Sequence, residues 1–149
     1  MTHQSARPLV IAHRGLCSIL PENTVEAVLS SMECADFAEL DVMLTKDERV
    51  VVFHDDYLSE LTNIDSLEQF AERKRIDHDD DGKERNDLWV EDFTLQELEL
   101  VRVRQRIKPT KRPNIWNWKF GIPTLDELLD RLIEYKKSMV NGRTSGLMI

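Results

Sequence analysis

Apolar and polar positions switch between two periods along the first third of the chain. Residues 9–12 form a compact apolar run, the signature of a buried strand. Asn23 followed three residues later by Glu26 has the layout of a helix start, and Val25, Val28, Leu29 and Met32 then recur at helical spacing. Residues 37–44 return to period two, with Ala38, Leu40, Val42 and Leu44 on one face and Phe37, Glu39, Asp41 and Met43 on the other. A second unbroken apolar run, rich in β-branched residues, occupies positions 50–53. With a helix linking the first strands and no usable hairpin turn between the runs, the pattern predicts parallel pairing in an α/β fold.

From residue 56 to about residue 118 the rhythm loosens into a charged, loop-rich stretch that reads as an insertion. Within it, Thr94 with Glu97 predicts a capped short helix carrying Leu95, Leu98 and Val101. Thr124 with Glu127 predicts a clearer one bearing Leu125, Leu128, Leu129, Leu132 and Ile133, with Asn141 and Gly142 as its stop. Residues 146–149 then open what reads as another buried strand.

Composition narrows the function classes. An apolar content of 41% in 149 residues suffices for one domain with a real core. A formal charge of −8 argues against the sequence-independent electrostatics by which proteins hold nucleic acid or anionic lipid. Cys17 and Cys34 define no disulfide framework and are expected to be small core residues, as are Met32, Met43 and Met139. No stretch approaches the roughly 18 apolar residues of a membrane span, and none resembles a signal peptide. As written, the chain is expected to be cytoplasmic.

The polar residues at the strand ends carry the chemistry. Glu39 and Asp41, at i and i+2 of one strand, have Cα atoms roughly 6.6 Å apart and can converge on one small cation. Taken alone, the pair reads equally well as a solvated acidic strand face. His54 shifts the balance, because it follows the run 50–53 as His13 follows the run 9–12. In parallel α/β sheets the carboxyl ends of the strands form one rim, where ligands bind. His13, Arg14, Glu39, Asp41 and His54 are therefore expected to face one site. A divalent cation on the acids and a guanidinium fork neutralise a phosphate, and two imidazoles move protons near neutral pH.

These residues stand in the order of a known signature: His13-Arg14-Gly15, Pro21-Glu22-Asn23-Thr24, Glu39-Leu40-Asp41 and His54-Asp55. With the stretches TKDERVVVFHD, DFTLQELELVRVRQR and KFGIPTLDELL, the chain resembles the glycerophosphodiester phosphodiesterases over nearly its whole length. Glu48 departs from the pattern, since glycine is usual there. The resemblance implies a TIM (β/α)8 barrel, of which residues 1–149 are the N-terminal part, with residues 56–118 as a small subdomain inserted after the third strand. It implies hydrolysis of glycerophosphodiesters to an alcohol and glycerol 3-phosphate, attack coming from water or from the substrate's neighbouring hydroxyl. By motif, His13 and His54 become the acid/base pair, Arg14 a phosphate contact, and Glu39 and Asp41 ligands of Mg²⁺ or Ca²⁺. Glu22 and Asn23 are expected to support those ligands, Asn23 reading equally as a helix cap.

By the same resemblance, the strand begun at residues 146–149 would continue into a glutamate metal ligand and, two residues later, a lysine, so the incomplete barrel is expected to lack both and to be poorly soluble and inactive alone. An inactive binding module of the same fold, or a related phosphodiesterase such as a sphingomyelinase D, is the alternative. Two stretches imitate other functions. Residues 77–88 match the first half of a calcium loop but place Leu88 where a bidentate glutamate belongs, so an exposed acidic loop is expected. Residues 102–119 interleave arginines and lysines with Ile115, Trp116 and Trp118 in the manner of a single-strand nucleic-acid surface, which the acidic net charge disfavours.

Overall fold

A computed structural model describes residues 7–108, 110–138 and 145–149. The expected parallel sheet is present with three strands: β1 (Ile11–Ala12), β2 (Phe37–Glu39) and β7 (Gly146–Met148), in the order β1-β2-β7. Both pairings are parallel, placing Ile11 opposite Phe37 and Phe37 opposite Gly146. Phe37 explains that glycine, because a Cβ at position 146 would lie 2.5 Å from the Phe37 ring.

Helix α1 (Val25–Ser31) and helix α3 (Leu125–Ser138) cover one face of this sheet. Val25, Val28, Met32, Ala38, Leu40, Val52, Leu128 and Leu132 form the buried cluster between them, with Leu147 packed against it. The expected periodicities thus point into one core, except that Leu44 and Ile133 are exposed. The other face carries Ile11 and Met148, both exposed, and it also bears Glu39. The expected burial of residues 9–12 and 146–149 is accordingly corrected: Leu9, Val10, Ile11, Met148 and Ile149 are all exposed among the described residues.

The stretch 37–44 is two strands, not one. Leu40 and Asp41 break it, and β3 (Val42–Leu44) turns back on β4 (Val50–Val52) as an antiparallel hairpin. This overturns the expected parallel pairing there; the parallel neighbour of β2 is β7, from far along the chain. The turn was hidden because its left-handed position holds Glu48, at φ 58°, where a glycine would have announced it. Side chains stabilise the turn instead: the Thr45 hydroxyl bonds to Asp47 at 2.6 Å and accepts from Arg49 N at 3.0 Å.

Residues between β4 and α3 build a second apolar cluster around Phe53, Leu58, Leu61, Ile64, Phe70, Val90, Phe93 and Leu98, with Val51 of β4 contributing to it. The expected acidic loop is the tip of a second hairpin, β5 (Arg75–His78) and β6 (Glu84–Asp87), turning at Gly82 with φ 75°. The capping box on α2 (Leu95–Leu98) forms as expected, Thr94 and Glu97 bonding reciprocally. Thr124 likewise accepts from Glu127 N at 3.0 Å. The expected stop at Asn141 and Gly142, and Met139, lie outside the described residues. Met32 is buried and Met43 packs against the second cluster. Cys34 is exposed and Cys17 only part-buried, contrary to the expected core positions, because each sits in a turn flanking α1.

Candidate active site

The strand β1 ends at Ala12, and the chain then makes a tight reversal in which Arg14 and Gly15 both take left-handed backbone, at φ 59° and 78°. A non-glycine residue held there stores strain of the kind found at functional sites. The reversal brings Arg14 N to 2.9 Å from Glu39 Oε2, at the end of β2. The Arg14 side chain is largely buried, with Nη1 donating to Glu22 at 2.9 Å and Nε 3.1 Å from Asp41 Oδ2. His13 points outward from the same reversal, 67% exposed, with Nε2 4.0 Å from Glu39 Oε2.

Asn23 is also left-handed, at φ 56°. The helix cap is its neighbour Thr24, whose hydroxyl accepts from Ala27 N at 3.2 Å. Asn23 instead grips Asp41 from both sides: its Nδ2 donates to Asp41 Oδ2 at 3.0 Å, and its Oδ1 accepts from Asp41 N at 3.2 Å. Of the two readings of Asn23, the structure therefore supports contact with the acidic pair, and capping falls to Thr24.

His54 follows β4 and places Nδ1 2.6 Å from Asp55 Oδ1, a buried carboxylate. Beside it opens a hollow lined by His54, Asp55, Asp56, Tyr57, the acidic turn 79–81 and Arg85. Burial, then the negative charges of Asp80, Asp79 and Asp55, pushes the Asp56 carboxyl above its ordinary range. Phe53 N donates to Asp41 O at 3.1 Å, which ties the β4 end to the acidic pair. Among the described residues, no three carboxylate, imidazole or thiolate side chains converge as a complete metal-binding group.

Sequence reasoning left Arg106 among the cations of the basic stretch, expected at most to help attract an anionic substrate, and gave it no contact in the site. The structure brings it to the centre of the site: Nε lies 3.1 and 3.0 Å from the two Glu22 oxygens, and Nη2 reaches Glu22 Oε1 and Asp55 Oδ1, each at 2.8 Å. A signal existed in the two acids at positions 22 and 55, which require counter-charge once buried. In the remainder of the stretch, Trp116 stacks on Phe120, and Arg104 lies over Trp118.

Burial acts to raise the Glu22 carboxyl, but the Arg106 and Arg14 guanidiniums outweigh it and hold it below the ordinary carboxylate range. A carboxyl whose folded value lies below its unfolded one contributes stability that is complete above the unfolded value and is lost as pH falls through the folded one. The melting temperature of the full chain is therefore expected to fall more steeply below about pH 4.5 than that of Glu22→Gln, which has no proton to gain. Parallel curves in a calorimetric pH series would show that Glu22 titrates as a free carboxyl.

The model of the glycerophosphoryl diester phosphodiesterase family matches residues 13–144. A glycerophosphodiester phosphodiesterase of Arabidopsis thaliana is 36% identical over 127 residues, covering 85% of this chain and 33% of the relative. That of Haemophilus influenzae is 30% identical over 157 residues, covering 98% and 40%. The structure of an Oleispira antarctica phosphodiesterase in complex with the product sn-glycerol-3-phosphate aligns with TM-score 0.60 at 26% identity, over 94% of this chain and 42% of the other. A putative glycerophosphoryl diester phosphodiesterase from Silicibacter pomeroyi gives 0.62 at 26%, over 89% and 43%. The chain thus spans between a third and two-fifths of the length of these two curated relatives. No helix among the described residues is long and apolar enough to cross a membrane. With the family's model matching all but the two ends, this chain belongs to the glycerophosphoryl diester phosphodiesterase family.

Proposed function

We propose that the protein containing this chain hydrolyses glycerophosphodiesters to an alcohol and glycerol 3-phosphate, with His13 and His54 as the acid/base pair. The observation that carries the reading is the convergence of the His13-Arg14 reversal on Glu39 and Asp41. In this reading the three-stranded parallel sheet is the first part of a (β/α)8 barrel, and residues 56–118 are an insertion in it. The product bound by the Oleispira antarctica relative supports the substrate class.

Phosphodiester cleavage needs charge neutralisation and two proton transfers at one place. Asp55 at Nδ1 orients the His54 ring and leaves Nε2 to exchange a proton with the reacting oxygen. One imidazole takes the proton of the attacking oxygen, the P–O bond to the alcohol breaks, and the other imidazole returns a proton to the departing alkoxide. Arg14, hydrogen-bonded to Glu22 and in charge contact with Asp41, meets the phosphate with the rest of its fork. Glu39 and Asp41, part-exposed and adjacent, fit as hard oxygen ligands of Mg²⁺ or Ca²⁺, a cation that supplies further neutralisation of the phosphate when bound.

Glycerophosphocholine turnover by the full-length protein that contains this chain, measured before and after exhaustive chelation, tests the reading. Hydrolysis that disappears with chelator and returns with Mg²⁺ or Ca²⁺ is the expected result. Turnover unaffected by chelation would remove the metal, and failure to hydrolyse any glycerophosphodiester in the presence of metal would overturn the proposed activity.

A further inference from the structure

Charge at this site is arranged as a single line around the buried Glu22 and Asp55: Asp41, Arg14, Glu22, Arg106, Asp55 and His54, each joined to the next by a contact of 3.1 Å or less. Arg106 is the link in that line that comes from outside the strand-end motifs, from the segment that also builds the second apolar cluster through Val101 and Val103. We infer that Arg106 is a positioning residue for His54: it pins the Asp55 carboxylate so that the imidazole is held with one ring nitrogen committed and the other presented to the reacting phosphodiester. The inference rests on the proposed phosphodiesterase reading for its catalytic consequence, and on the geometry alone for its structural one.

Asp55 is buried, and both of its partners load the same atom: His54 Nδ1 at 2.6 Å and Arg106 Nη2 at 2.8 Å meet at Oδ1. Oδ2 is buried and has no hydrogen-bond partner. Such a carboxylate has a reason to rotate, because turning its unpaired oxygen toward a donor would lower the cost of burying it. What opposes rotation is the fork of Arg106, which is itself immobilised by three contacts to Glu22 at 2.8 to 3.1 Å. Glu22 is in turn held by Arg14 at 2.9 Å. The planar guanidinium bridges two carboxylates that lie on separate motifs, a task for which an ammonium lacks the geometry. Burial acts to lower the Arg106 value, and the two carboxylates more than compensate, so the bridge stays charged.

Arg106 also places Glu22 and Asp55 at a fixed separation. Gln105, the residue before it, helps lock the backbone there: its Nε2 donates to Cys17 O at 3.1 Å and Leu20 O at 2.9 Å, in the loop between β1 and α1. The segment is thereby fastened to the His13-Arg14 loop by a side chain on each side of the same peptide. Other charged and titratable groups that share the His54 hollow are Asp56, Tyr57, the acidic turn 79–81 and Arg85. None of them has a hydrogen bond to Asp55, so Arg106 alone supplies the pin among the described residues.

The test uses Arg106→Gln and Arg106→Lys in the full-length protein that contains this chain, with metal present, read by steady-state kinetics and by ¹⁵N NMR of the histidine ring nitrogens. In the unaltered protein the His54 signals are expected to show one tautomer, protonated at Nδ1. Arg106→Gln is expected to lower kcat by about tenfold with KM within about twofold, and to give a mixture of His54 tautomers. Arg106→Lys keeps the charge without the fork and is expected to fall between the two on both measures. A raised KM with unchanged kcat would place Arg106 on the substrate and overturn the inference. So would a single His54 tautomer retained in a folded Arg106→Lys or Arg106→Gln protein, whatever its activity. If the unaltered protein hydrolyses no glycerophosphodiester, the proposed activity fails separately, and the NMR comparison still decides the role of Arg106.

Discussion

Replacing His54 or His13 by alanine in the full chain is expected to lower kcat/KM for a glycerophosphodiester by about 10² or more in each case. The two residues stand in different surroundings, and the expectation differs in kind. His54 is fixed, with Nδ1 on a buried carboxylate, so its loss removes a proton carrier already oriented for transfer. His13 is mostly exposed and makes only a long contact to Glu39, so its alignment depends on the bound substrate. Adding imidazole to the medium is therefore expected to restore part of the activity of His13→Ala and less of that of His54→Ala, since an added ring reaches an open position more easily than an enclosed one. His78, exposed on the β5–β6 hairpin, is the internal control: His78→Ala is expected to turn over normally. If either His13→Ala or His54→Ala kept near-normal turnover, that residue would have no proton to carry and the pairing would be wrong.

How much of this arrangement could be read before the structure depends on the range of the interactions involved. Helix caps are local, and Thr94 with Glu97 and Thr124 with Glu127 were legible because each needs only a hydroxyl three residues before an acid. The gathering of His13, Arg14 and Glu39 was legible because parallel strands end together, whereas Asp41 lies beyond the end of β2 and joins them through Arg14 and Asn23. Asn23 and Thr24 could not be told apart by residue type, since both cap helices well; the left-handed backbone at Asn23 made the choice. The β3–β4 hairpin escaped because Glu48 occupies the position where a glycine would mark the turn. Arg106 escaped for a different reason. Its partner Glu22 is 84 positions away, and within its own neighbourhood it is one cation among several. Only the three-dimensional closure of the two segments distinguishes it from Arg104, which bonds instead to Glu60 O.

Gly15→Ala is expected to be the most damaging single methyl that can be added to this site. Two costs coincide there. At φ 78° the backbone lies in the left-handed region, where a side chain costs about 1–2 kcal/mol. A Cβ would also lie 2.6 Å from Ala27 C, 2.7 Å from Ala27 O and 2.7 Å from Val28 N. Those are backbone atoms of α1, not the tip of a side chain that could swing away, and overpacking against them adds about 1–3 kcal/mol. The helix cannot retreat cheaply, because Leu16 N donates to Ala27 O at 2.8 Å and Val28 is fully buried in the cluster beneath the sheet. Relief by moving the loop instead would shift Arg14, whose backbone N holds Glu39, and with it the line of charge that runs to His54. Stability and catalysis are thus expected to fail together: a loss of about 2–5 kcal/mol in denaturant unfolding of the full chain, and, in whatever fraction stays folded, a loss of turnover beyond that of the folded population. An alanine variant melting within about 2 °C of the parent would show that α1 and the reversal are not in the contact described. A variant that is destabilised yet fully active per folded molecule would separate the packing of Gly15 from the placing of Arg14, and the close approach to α1 would then serve the fold without serving the site.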